Sequence, residues 1–152
     1  MIDHSFLLAV NVWLGGCMIA IALFDMKELR IPDPLILFML PAAAVFPGNP
    51  PERILSAAAV WAGFALIAAV SALFGARIPI GMGDIKLFSA IALIAGPRTL
   101  LRTLCLSSLL AGAFSAATVI AGALTKNKKD RIAFGPFISI AFICLLVRMQ
   151  AG

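Results

Sequence analysis

Residues 5–24 read SFLLAVNVWLGGCMIAIALF, twenty positions without a charge, and Asp25 follows at once. At 1.5 Å per residue such a run makes a helix of about 30 Å, the thickness of a bilayer's hydrocarbon core. It is expected to span a membrane, and the rest of the chain has a matching composition. Of 152 residues, 62% are hydrophobic and 12% charged, with a mean hydropathy of +1.08. A soluble domain carries about 45–50% apolar and about 25% charged residues. The expected fold class is all-α, a polytopic membrane helix bundle, with residues 1–152 forming one integral membrane domain. The first run has no basic segment before it and further apolar runs after it, so no cleavable signal peptide is expected.

Working outward from that run, the turn from Met26 leads to Asp33-Pro34, which has the form of an N-cap with proline at the first helical position. A second helix is expected from there to about Phe46, kinked at Pro41 and closed by the breakers Pro47-Gly48-Asn49-Pro50-Pro51. A third runs from Ile54 to Phe74. A loop from Gly75 to Gly83 then leads to Asp84, and the next apolar run, from Ile85, stops eleven residues later at Gly96-Pro97. That is about 17 Å, short of a membrane core. Either this helix begins earlier, near Ile78, or Asp84 lies below the membrane surface. A fifth segment from about Thr103 to Leu124 and a sixth from Phe134 to about Val147 complete a count of about six spans. Small residues at four-residue spacing (Ala58 and Ala62, Ala59 and Gly63; Ser108, Gly112 and Ala116) predict close helix packing. Asn11 is expected to be bonded within the bundle.

Charge supplies the orientation. The loops after spans one, three and five hold Lys27, Arg30, Arg77, Lys86, Lys126, Lys128, Lys129 and Arg131, and the opposite side holds Arg53, Arg98, Arg102 and Arg148. Eight bases against four place the odd loops in the cytoplasm. The loop from Lys126 to Arg131 reads as a topology anchor beside anionic headgroups of the lipid bilayer. A net charge of +5 scattered over short loops makes no basic stripe, so no nucleic-acid partner is expected. Cys17, Cys105 and Cys144 lie in apolar runs without any CxxC spacing, as buried small hydrophobes would; neither a metal site nor a disulfide framework is indicated.

The orientation puts Asp25 and Asp84 at the same mouth of the bundle. A carboxylate at membrane depth is costly and reads as functional by default. Each has a bland reading: Asp25 can pair with Lys27 or Arg30 at a helix end, and Asp84 can cap the fourth helix. Two carboxylates about 4 Å apart repel by about 4 kcal/mol at an effective dielectric of 20, so a facing pair shares a proton. One ionised and one protonated carboxyl suffice for peptide hydrolysis by an activated water. Gly81 and Gly83 let another chain lie close to Asp84, and Lys27, Arg30 and Lys86 add positive charge near the same mouth. The alternative is a non-enzymatic membrane subunit or small proton-coupled transporter using the two acids as a relay. The lack of an evident internal repeat and the placing of both acids at one mouth favour a protease.

Three ordered motifs sharpen this. Asp25-Met26-Lys27-Glu28-Leu29-Arg30-Ile31-Pro32-Asp33, then Gly81-Met82-Gly83-Asp84-Ile85-Lys86-Leu87, then Phe134-Gly135-Pro136-Phe137 together resemble the type IV prepilin peptidases, polytopic aspartic proteases of the GxGD type. Presenilin-like enzymes share GxGD, but the turn from Asp25 to Pro32 points to the prepilin branch. The resemblance spans roughly residues 24–137. It implies that Asp25 and Asp84 are catalytic, that no cofactor or metal is needed, and that a prepilin or pseudopilin precursor loses its short basic leader at the cytoplasmic face of the bacterial inner membrane. Gly81, Gly83, Lys86, Lys27, Arg30 and Pro32 are the accompanying candidates for shaping the site or binding substrate. Larger bifunctional members carry an extra cytoplasmic domain with paired CxxC motifs and also N-methylate the product. Without those motifs the chain resembles the short peptidase-only branch, such as that serving tight-adherence (Flp) pili, and N-methyltransferase activity is not expected.

Overall fold

The computed structural model describes residues 4–46, 48–75, 81–125 and 133–151. Arg77, the expected helix start near Ile78 and the basic loop from Lys126 to Arg131 lie outside the described residues. The elements are α1 (His4–Glu28), α2 (Asp33–Met39) continuing as a 3-10 helix (Leu40–Ala44), α3 (Pro50–Leu73), α4 (Met82–Thr125) and α5 (Gly135–Ala151). The described residues contain no strand, and the fold is an all-α bundle. Ser5–Glu28, Pro50–Leu73 and Met82–Ile120 are long and apolar enough to cross a membrane, and Asp33–Ala44 and Gly135–Arg148 are shorter apolar helices. The passage into 3-10 geometry at Leu40 has its cause in Pro41, which has no N–H for the α-helical bond.

Helix α4 is broken at Gly96, whose φ of 79° and ψ of 177° are not helical, with Pro97 beginning the next turn. Proline suits a first helical position, so the sequence Gly96-Pro97 ends one helix and starts another without a loop. The expected gap between the fourth and fifth segments thus shrinks to a single residue. The arms turn back on one another. Phe88 of the first arm lies 6.4 Å from Phe134, which lies 6.5 Å from Phe137, which lies 5.4 Å from Phe114 of the second arm, all between ring centroids. A straight helix would hold Phe88 and Phe114 about 39 Å apart. With α4 divided at Gly96, six helical segments follow one another in the order expected.

The first arm is the centre of the bundle. Leu87, Phe88, Ala90, Ile91, Ala92 and Ile94 are all buried, against Leu14, Met18 and Ile21 of α1 and Ile138 and Phe142 of α5 within one core. A helix apolar all round belongs inside, which explains why its apolar run is short and continuous. The small-residue stripes, by contrast, do not pack: Ala59, Gly63, Ser108, Gly112 and Ala116 face outward, and a Cβ on Gly63 or Gly112 would meet nothing within 4 Å. The buried stripes are instead Arg53, Ser56, Ala57 and Val60 on α3 and Thr99, Thr103 and Ser107 on α4. Three of these hydroxyls bond to their own helices: Thr103 Oγ1 donates to the Thr99 carbonyl at 2.8 Å, Ser56 Oγ to the Arg53 carbonyl at 2.8 Å and Ser107 Oγ to the Leu104 carbonyl at 3.2 Å. Cys17 is buried as expected, whereas Cys105 and Cys144 are exposed on the outer surface. The Oδ1 of Asn11 is buried without the expected hydrogen-bond partner among the described residues.

Arg53 closes the end of the bundle away from Asp25. Its guanidinium donates through Nη1 to the Ala43 carbonyl at 2.8 Å and through Nη2 to the Phe46 carbonyl, satisfying one acceptor near the end of the 3-10 helix and one in the turn that follows it. Between lipid-bathed helices the hydrophobic effect supplies no drive, and packing and hydrogen bonds carry association. Replacing Arg53 by Met therefore strands two carbonyls and should lower unfolding stability in detergent micelles by about 1–3 kcal/mol. Gly96→Ala should cost about 1–2 kcal/mol, because its left-handed φ strains any side chain. Gly112→Ala, at an open helical position, should instead gain up to about 1 kcal/mol in the same measurement.

Candidate active site

Asp25 occupies the last turn of α1, one turn deeper in the helix than the run of residues 5–24 suggested, and the Leu29 N–H closes that turn on the Asp25 carbonyl at 2.9 Å. Leu29 itself takes φ 52°, the left-handed conformation that ends a helix and is uncommon for a leucine. The chain is thereby thrown sideways, so that Ile31 falls against α4. A Cβ on Gly83 would lie 3.0 Å from the Ile31 Cβ and 3.3 Å from its Cγ1. Gly83 is thus the place where the turn after Asp25 seats on the turn before Asp84. The expected loop through Gly83 gives way to helix from Met82, with Asp84 in its first turn.

An anion is disfavoured at the C-terminal end of a helix and favoured at the N-terminal end. Asp84 has the favourable end of α4. Asp25 has the unfavourable end of α1, is only 6% exposed, and meets the start of α5: the Gly135 N–H donates to its Oδ2 at 2.8 Å. The approach needs glycine, since a Cβ there would stand 2.7 Å from Oδ2. The Phe88, Phe134, Phe137 and Phe114 rings hold the start of α5 in position between the two arms of α4.

Asp25 and Asp84 line one cleft of about 270 Å³, with Arg30, Ile31, Gly81, Gly83, Asp33 and Lys86 among its other walls. That volume holds a peptide bond and its neighbouring atoms, and is smaller than the roughly 300–1,000 Å³ of a site enclosing a whole small ligand. Gly81 is exposed beside Asp84, and a Cβ there would lie 3.4 Å from the Asp84 Oδ2. A larger, apolar groove of about 680 Å³ lies between α3 and the second arm of α4. Glu52 is the one ionisable group on its walls, so it offers no pair of groups for acid–base chemistry. Among the described residues no three His, Cys, Asp or Glu side chains converge as metal ligands.

Some site residues behave differently from their sequence expectation. Lys86 does not sit free beside the carboxylates: its Nζ pairs with Asp33 at 2.7 and 2.8 Å on the half-exposed rim. Asp33 accordingly does not cap α2, where Pro32 holds the N-cap position without a side-chain bond. Its carboxylate reaches across to Lys86 instead, tying α2 to α4 at the rim of the cleft. Lys27 is exposed and Pro32 half-buried, and neither lines the cleft. Sequence reasoning missed the contact from Gly135, which stood in a quoted motif merely as a helix start. The available signal was a glycine before proline, flanked by two phenylalanines, opening an apolar helix.

Comparison with known proteins supplies the family. A prepilin leader peptidase/N-methyltransferase of Bacillus subtilis (strain 168) is 29% identical over 134 residues, covering 83% of this chain and 50% of that protein. The chain thus spans about half the length of that curated relative, and no solved structure matches it. The sequence signature of the type IV leader peptidase family matches residues 12–116, a stretch that includes Asp25 and Asp84, and the chain belongs to that family.

Proposed function

We propose that this chain is a membrane aspartic endopeptidase that removes the N-terminal leader from prepilin or pseudopilin precursors at the cytoplasmic face of the bacterial inner membrane. The observation that carries the reading is the meeting of Asp25 and Asp84, 59 positions apart in sequence, in one cleft at an end of the bundle. Family membership supports the peptidase activity, and the eight-to-four distribution of bases supports the cytoplasmic side.

The chemistry needs the pair to hold one proton. A water in the cleft attacks the scissile carbonyl carbon while the ionised carboxylate takes its proton, and the protonated carboxyl donates to the carbonyl oxygen. The tetrahedral intermediate then collapses: the C–N bond breaks, a carboxyl group returns its proton to the leaving amine, and the leader departs with a new C-terminal carboxylate. Arg30 and the Asp33–Lys86 pair lie on the walls of the same cleft, where they can contact polar groups of the substrate. A proton-relay reading gains nothing from this geometry, because both carboxylates lie at one end of the bundle.

Co-expression with the prepilins of the source genome, followed by N-terminal sequencing of the products, tests the proposal. Asp25→Asn and Asp84→Asn should each reduce leader removal by about 10²–10⁴-fold while the protein accumulates normally in the membrane. Near-normal cleavage by either variant would dismiss the pair. The new N-terminus should be a free primary amine in mass spectra of the terminal peptide, and a methyl group found there would assign transferase activity to the chain as well.

A further inference from the structure

The start of α5 does more than pack. Helix α5 begins at Gly135, and the first N–H groups of any helix have no partner within it. One of them, that of Gly135, points at a buried carboxylate 110 positions away in sequence, at 2.8 Å. The carboxylate is Asp25, whose own helix ends there with its carbonyls and supplies the wrong polarity for an anion. An aspartate side chain has two rotatable bonds, and the position of its oxygens in a cleft is fixed only if something holds them. Here Oδ2 is held by the Gly135 N–H, and the bare α-carbon of Gly135 forms a wall with room for nothing larger than hydrogen. An added Cβ would come within 2.7 Å of Oδ2 and 3.0 Å of both Cβ and Cγ of Asp25.

We propose that Gly135 is a positioning residue of the peptidase reaction: its N–H fixes the Asp25 carboxylate toward Asp84, and its missing side chain leaves the space in which that carboxylate stands. This rests on the peptidase reading above. With Oδ2 engaged, Oδ1 is the oxygen left to meet the attacking water or the proton shared with Asp84. Misplacing a catalytic group by about 1 Å can cost about 100-fold in rate, and a bond from an N–H to a charged oxygen accounts for about 10- to 100-fold. The consequence falls on the chemical step and not on substrate binding, because Gly135 is not among the residues lining the cleft.

The test uses the full chain, made by cell-free synthesis into lipid nanodiscs, with a prepilin precursor that the wild type cuts as substrate. Glycolic acid at position 135 exchanges the N–H for an ester oxygen and adds no bulk. The ester variant should lose about 10- to 100-fold in kcat with KM within about twofold of wild type. Gly135→Ala should lose at least as much in kcat, whereas Gly112→Ala, which also adds a methyl to a helical glycine, should keep wild-type kinetics. Wild-type kcat in the ester variant overturns the proposal, as does a loss that appears only in KM. Should Gly135→Ala fail to accumulate, the ester variant still decides. Asp25→Asn separates the two levels: if it remains active, the peptidase pair and this role both fall. If it is inactive while the ester variant is normal, only the role of Gly135 falls.

Discussion

Asp25 is an acid in the last turn of an apolar helix, where the helix's own carbonyls surround it and little water reaches it. A buried carboxylate is tolerable only with a donor, and this one has the N–H at the head of α5. Much of the bundle follows from that single bond. α5 has to begin level with the end of α1, so the two run antiparallel. The phenylalanines on either side of Gly135 have to find rings to lean on, and they find Phe88 on one arm of α4 and Phe114 on the other. Both arms are thereby drawn to the same level, and the first turn of α4, carrying Asp84, arrives beside the end of α1.

The opposite end of the bundle solves a related problem with the charge reversed. There a 3-10 helix and the turn after it leave the Ala43 and Phe46 carbonyls to satisfy, and the buried guanidinium of Arg53 satisfies both. Between the two ends the contacts are mostly apolar, and the buried hydroxyls of Ser56, Thr103 and Ser107 turn back to their own helices. Polar groups thus fix the register of the segments at their termini, while side-chain packing fills the middle. In a solvent as apolar as the core itself, packing alone does not select one register from its neighbours.

Much of this was legible in the amino-acid sequence. Apolar run lengths and breakers located the six segments in order, because spanning a bilayer imposes a length and backbone bonding imposes a helix. The two aspartates stood out because acids are rare in such runs, and their common face followed from the count of bases. What was not legible depended on which side of each helix turned inward. Stripes of small residues on α3 and α4 suggested close packing, yet Gly63 and Gly112 face outward and the larger Val60 and Thr103 face in. In a helix apolar on every side, periodicity does not distinguish core from lipid. Asp33 read as a cap from its neighbour Pro34, but Lys86 lies 53 positions away, and local sequence holds no information about that partner. The contact from Gly135 was hidden for the same reason.

The reversal at Gly96 leaves the first arm of α4 with only residues 82–95, about 21 Å of helix, set against a hydrocarbon layer of about 30 Å. Packed in the core against α1 and α5, this arm does not need to meet lipid along its whole length. Matching so short an arm to the layer takes local thinning of the bilayer or flanking side chains that reach out to the interface, a demand that its long neighbours α1 and α3, of 25 and 24 residues, do not make.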